Sequence, residues 1–259
     1  MRARSLSLLL GAALAAGGCI EAQRVITVAP DGSGTIVDTI RPVGPMAALM
    51  QMGQDEKTRG EEKVKKTPRF KSAATAMGAG VRLESFEPMG GGNPEVIRYA
   101  FSDIAQVKAE LLPFFGNDDE EAVTATPLSF KFSRPGATST LTVLTPPEKP
   151  DPGAKKATQE EIDKNVAQMK QMSAQLKGLK MSGKLEVGGP IVKSNGAFVE
   201  GSTVTLLEID FETLAQDEAS MRRLAALEDP TKADPRVLAG IKGLKVNALP
   251  ALTVEFKSR

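Results

Sequence analysis

Cys19 is the only thiol in the chain, and histidine is absent. Those two facts remove much of the usual catalytic vocabulary. Ser-His-Asp and Cys-His arrangements need an imidazole to take and return a proton. An HExxH zinc site needs two histidines. Disulfides and cysteine-bound zinc need more than one thiol. Carboxylate and lysine chemistry remains. Asn117-Asp118-Asp119-Glu120-Glu121 is the densest acidic cluster, and its oxygens could hold calcium. Its spacing lacks the alternate-position ligands of an EF-hand loop, so a solvated loop is expected. A carboxylate pair for hydrolysis stays open, but nothing in the sequence picks one out. Asp31-Gly32-Ser33-Gly34-Thr35 lacks the Gly-Lys-Ser/Thr ending of a phosphate loop and reads as a hairpin turn. Gly78 and Gly80 have no third glycine at Leu83, so the dinucleotide fingerprint is missing. No catalytic residue, metal ligand or cofactor is expected.

The cysteine stands at an informative place. Arg2 and Arg4 precede an apolar run from Leu6 to Ala16, and Gly17 and Gly18 come just before Cys19. A charged start, a short apolar core and a small-residue cleavage site make a secretory signal over residues 1–18. The run is about half the length of a membrane span, and no later stretch approaches about eighteen apolar residues. No transmembrane helix is expected. Ala16-Gly17-Gly18-Cys19 resembles the lipobox of bacterial lipoproteins, with Ala16 where that family usually has Leu. The resemblance implies diacylglycerol on the Cys19 sulfur and an acylated first residue after cleavage. The alternative is an ordinary signal peptide with an incidental cysteine. Ile20 stands where an Asp in that family favours inner-membrane retention, so the resemblance implies the periplasmic face of the outer membrane. Residues 19–23 read as a short lipidated tether, ~16 Å at full stretch. Residues 24–259 read as one domain.

Charge argues against nucleic acid. The chain has 33 basic and 32 acidic residues; without Arg2 and Arg4 the basic count falls to 31, a net charge of −1. There is no basic excess to track a phosphate backbone.

Several elements must position whatever the chain does. Val25–Val28 and Thr35–Ile40 read as strands around the Pro30–Gly34 turn. Gln54–Lys66 is charged and reads as a solvated face or loop, followed by a helix over Arg69–Met77. Ile97, Tyr99 and Phe101 alternate with polar or small residues, as do Leu128, Phe130 and Phe132, and later Leu252, Val254 and Phe256. Asp103 and Gln106 predict a short helix reaching Leu111. Residues 145–157 are rich in Pro and Lys and read as an internal linker. Thr158 and Glu161 form a capping box for a helix whose stripe is Ile162, Val166, Met169, Met172 and Leu176. Asn195-Gly196 is the strongest hairpin signal. Phe211 and Leu214 begin a helix after Asp210, and Asp234-Pro235 begins another. Clean alternation predicts an α+β fold, an antiparallel β-sheet with amphipathic helices packed on one face. One continuous sheet is the simplest arrangement.

Methionines supply the remaining lead. Met46 and Met50 share one helical region, and Met169 and Met172 another. Core packing is the ordinary use of such spacing; an apolar ligand between helix and sheet is the sharper alternative. Val25-Ile26-Thr27-Val28, Pro30 to Thr35, Tyr99 to Ile104, Val199 to Leu207 and Asp210-Phe211 resemble uncharacterised bacterial exported lipoproteins, distantly similar to the mycobacterial LppM-type lipoprotein domain. These motifs are strands, turns and caps. The resemblance implies a fold that holds hydrophobic ligands and carries over no active-site residue. Together the expectations are a membrane-anchored, non-catalytic module that binds a hydrophobic small molecule or an envelope protein. The rivals are an assembly partner in a larger complex and a carboxylate-dependent hydrolase.

Overall fold

Alternating burial builds the first hairpin. In β1 (Ile20–Val28) and β2 (Gly34–Pro42), Ala22, Ile26, Val28, Ile36 and Ile40 share one face and are buried. The strands pair antiparallel, with Ile20 opposite Pro42 and Val28 opposite Gly34. In the turn between them, the Asp31 carboxylate accepts from the Ser33 amide at 3.0 Å, and Gly32 takes φ 88°. The computed structural model describes residues 20–43, 47, 56–90, 93–113, 127–146, 157–173, 177–227, 238, 240–247 and 249–257.

The other strands are β3 (Arg82–Glu87), β4 (Glu95–Phe101), β5 (Lys108–Ala109), β6 (Leu128–Ser133), β7 (Thr138–Leu144), β8 (Lys180–Val187), β9 (Ile191–Ser194), β10 (Val199–Glu200), β11 (Thr203–Asp210), β12 (Leu244–Val246) and β13 (Ala251–Lys257). They form two sheets. The larger runs β10-β11-β8-β1-β2-β4-β3, with β12 added to β11; the smaller runs β5-β6-β7-β13-β9. Pairing is antiparallel except between the neighbours β1 and β8, which are parallel. The fold class is the expected α+β. The single continuous sheet is not: Leu128, Phe130, Leu141, Val143, Leu252, Val254 and Phe256 of the smaller sheet share a core with Ile26, Val28, Ile36 and Leu185 of the larger. Alternation specifies one covered face per strand and is silent on what covers it.

Helices complete that inner face at its margins. α1 (Glu56–Ala76) packs on β3, with the Phe70 and Phe86 ring centroids 4.6 Å apart. Residues 56–66 of the charged stretch, read as a solvated face or loop, are a mostly exposed helical face. Lys63 reaches Glu87 at 2.8 Å and Lys66 reaches Glu95 at 3.1 Å, so the charges tie the helix to the sheet. At the opposite margin lie α2 (Gln159–Met172), α3 (Phe211–Ala215) and α4 (Glu218–Ala225). The Thr158 capping box forms as expected, and Asp210 and Asp217 cap α3 and α4. Val166, Leu214, Met221, Ala225, Leu238 and Ile241 make a second apolar cluster, joined by Leu244 and Val246 of β12.

Two local expectations change. Asp103 caps only a three-residue turn, Ile104–Gln106, and the chain then crosses the inner face through β5 instead of continuing as a helix. Asn195-Gly196 makes no two-residue hairpin: β9 belongs to the smaller sheet and β10 to the larger. Neither residue has the positive φ such a turn needs. Asn195 instead acts like a strand residue toward β13, accepting from the Thr253 amide at 2.7 Å and donating to the Ala251 carbonyl at 3.0 Å. Residues 19, 46, 50, 117–121 and 147–156 lie outside the described residues, as do Leu176, Asp234 and Pro235.

The crossing segment passes so close to β8 that a Cβ on Gly183 would lie 2.1 Å from the Leu111 carbonyl oxygen. Gly183→Ala must push that segment away and is expected to cost about 1–3 kcal/mol. Gly60, mid-helix in α1, is the control, because a Cβ added there would meet nothing within 4 Å. Gly60→Ala should stabilise by about 0.5–1 kcal/mol. Thermal denaturation followed by circular dichroism should separate the two variants in opposite directions.

Candidate functional site

A polar seam interrupts the apolar inner face of the larger sheet. Arg24 and Asp38 sit opposite one another on β1 and β2, in the same inward rows as Ile26 and Ile36. Arg24 is 6% exposed and Asp38 2%. The Arg24 Nε donates to Asp38 Oδ1 at 2.6 Å, and Nη2 donates to Oδ2 at 2.6 Å. The Nη1 donates to the Glu110 carbonyl at 2.9 Å. Such a bidentate pair with its third nitrogen satisfied is the geometry in which two buried charges become tolerable. Burial opposes the guanidinium charge, and Asp38 outweighs it, so Arg24 holds its proton above the ordinary value.

The seam continues to both sides. Tyr99, on β4, is buried beside the pair; burial and the Asp38 charge push its phenol well above the ordinary value. Glu95, two inward positions before Tyr99, is buried against Lys66 of α1. Burial pushes its carboxyl up, against the pull of Lys66. On the other side burial also raises Glu110, against Arg24. Both Asp38 oxygens accept from Arg24, and one Glu95 oxygen accepts from Lys66. The Asp38 carboxylate is thus engaged at both oxygens in holding strands and a crossing segment, a poor arrangement for a general base.

Sequence reading did not single out these residues, yet a signal existed. At period two, Ala22, Arg24, Ile26, Val28 and Ile36, Asp38, Ile40 each place one charge in an apolar row, and the charges are opposite. The residues that were singled out lie elsewhere. Met169 packs into the second apolar cluster, and Met172 is half-buried near the end of α2. Met46, Met50 and Cys19 lie outside the described residues. Among the described residues no group of three or more His, Cys, Asp or Glu is placed to hold a metal.

No family model matches the chain, and no curated protein matches it. Among solved structures it is similar to the folded domain of Mycobacterium tuberculosis LppM, determined by NMR. The match has 10% identity over 93% of this chain and 91% of that one, with a TM-score of 0.28. At that score the likeness carries no functional argument.

Two measurements test the seam. Arg24→Met leaves Asp38 buried without its cation and should cost about 3–5 kcal/mol, whereas Arg24→Met with Asp38→Leu should recover most of that loss. Denaturant unfolding of the two single variants and the double variant checks it; additive losses would mean the pair is not coupled. Tyr99 is the only tyrosine and tryptophan is absent, so tyrosinate absorbance reads this site alone. Its folded pKa is raised, so its contribution to stability is constant below the unfolded value of about 10 and declines as pH rises above it. Tyrosinate should appear together with loss of far-ultraviolet ellipticity. A separate earlier titration in the folded protein would show a phenol open to water.

Proposed function

We propose that this chain is a lipid-anchored protein of the bacterial envelope, attached through Cys19 and acting as a non-catalytic binding or interaction module on the periplasmic face of the outer membrane. The observation that carries the reading is the start of β1. It begins at Ile20, the residue after Cys19, and forms one of the central strands of the larger sheet. Residues 20–23, taken from sequence as tether, pair with Pro42 to Thr39, and residues 21–23 also pair with Lys180 to Ser182. In sequence, Cys19 directly precedes this strand and directly follows a signal-like segment. Among the described residues no helix is long and apolar enough to cross a membrane, so an acyl anchor is the route by which this body would be held at one.

The non-catalytic part of the reading draws on the absence of histidine and on the mutual commitment of Arg24 and Asp38. Within it, an interaction module is better supported than an apolar-ligand carrier, because Met169 already has an occupant against it in the helix cluster.

Mass spectrometry of the amino terminus of protein extracted from its membrane is the test. The expected product begins at Cys19 and carries a thioether-linked diacylglycerol and an amide-linked acyl chain. Cys19→Ser should yield no acylated product and no stable membrane association. Cleavage elsewhere, or an unmodified Cys19, would sink the anchor.

A further inference from the structure

Strand polarity decides which end of the body lies nearest Cys19. Ile20 opens β1, and β8 runs parallel to it from Lys180, with Glu21 beside Lys180. Antiparallel neighbours bring their opposite ends to the same place. Pro42 ends β2 there, Glu95 opens β4, Asp210 ends β11 and Leu244 opens β12. The adjoining connections share that end. Leu179 accepts from the Phe211 amide at 3.1 Å, and Gly243 accepts from the Asp210 amide at 2.7 Å.

This strand-end surface has a mixed character. Ile20 and Val43 are half-buried and apolar, and Lys177 is exposed. The Arg41 side chain is 56% exposed, with only a loose 3.7 Å contact to Glu21. The Lys180 side chain is 39% exposed and 3.8 Å from Glu208. Loosely held cations beside half-buried aliphatic residues suit phospholipid headgroups.

We infer that this strand-end surface, from Ile20 through Arg41–Val43 to Lys177–Lys180, is a membrane-docking surface that lies in the phospholipid headgroup layer, so that the larger sheet stands on the bilayer. The inference rests on the acylation of Cys19 proposed above. The length of chain between anchor and fold is its main warrant. An acylated Cys19 leaves no residue of slack before β1, and one peptide spacing is only ~3.8 Å. A body joined so closely cannot rotate its strand ends far from the headgroups. The opposite end, around the Asp31 turn and Glu186, then faces away from the bilayer.

The full-length protein supplies its own labelling background, because acylation would block the only thiol. Arg41→Cys and Lys177→Cys probe the near end. Glu186→Cys and Glu200→Cys probe the far end, about 20 Å further along the strands. Each variant is labelled with a thiol-reactive fluorophore in phosphatidylglycerol–phosphatidylethanolamine vesicles that carry a headgroup-linked quencher. At that separation, near-end labels should be quenched at least about fivefold more strongly than far-end labels. Equal quenching at both ends, or the reverse order, in protein that floats with the vesicles would overturn the docking surface and leave the anchor standing. Near-end labels shielded from aqueous iodide but untouched by the lipid quencher would mean that protein covers this end, which also overturns it. Failure to float with vesicles would remove the anchor, and the docking surface with it.

Discussion

The bidentate contact between Arg24 and Asp38 sets the frame on which the rest is arranged. It joins the paired strands β1 and β2 on their inward faces, and its remaining nitrogen holds the Glu110 carbonyl. The chain leaving β5 crosses the larger sheet at that point. Gly183, beside Arg24 on β8, gives the crossing segment room. Hydrophobic residues of similar shape could supply as much stability as this pair. What the pair adds is register. A slip of one residue between β1 and β2 would place Arg24 opposite Val37 or Thr39 and leave a buried cation without its carboxylate.

A second device keeps another charge out of the interior. Between Thr205 and Leu207 the pairing of β11 with β8 shifts by one residue. Leu206 is the extra residue, and it is buried in the core between the sheets. Without the bulge, Glu208 would follow Val204 and Leu206 inward. With it, Glu208 turns to the outer face and meets Lys245 at 2.9 Å. Asn247 stabilises the irregular stretch: its Nδ2 donates to the Thr205 carbonyl at 2.7 Å and its amide to the Leu206 carbonyl at 2.8 Å. The same strand can therefore serve two apolar clusters. Its first half packs between the sheets, and its second half, through β12, meets the helices.

These two devices explain what could and could not be read beforehand. Strands with unbroken alternation, such as Leu252 to Phe256 or Ile97 to Phe101, were legible because period two needs no partner to be recognised. Caps were legible at Thr158 and Asp210 because a cap is local. The division into two sheets depends on which covered face meets which, and that information is spread over residues far apart in sequence. Asn195-Gly196 misled for the same reason: its local preference yields to β13, which claims the Asn195 side chain from 58 residues away. Gln54–Lys66 read as a solvated face or a loop because it lacks an apolar stripe; residues 56–66 are a solvated helical face, tied to the sheet by ion pairs to Glu87 and Glu95. Arg24 and Asp38 broke an apolar alternation in plain view. A charge of each sign in matching inward rows of one hairpin is the signal to look for.

The functional reading turns on the join between an anchor and the first strand. A long flexible tether would deliver a domain to a membrane and leave its orientation free. A join with no slack does more, because it turns attachment into effective concentration. Contacts that would be too weak to hold a free protein, about 1 kcal/mol per lysine at an anionic surface, act on a body already held there. At millimolar effective concentration, contacts totalling about 4 kcal/mol are enough to fill a site half the time. Arg41, Lys177 and Lys180 are few, and the chain has almost no net charge, so the free domain would have little reason to bind lipid. On a body held at Cys19 as proposed, these three cations, about 3 kcal/mol together, would bias which end faces the bilayer without fixing it there. Recognition by this module would then fall to surfaces at the far end of the sheets, where the Asp31 turn and the exposed edge around Val199 lie.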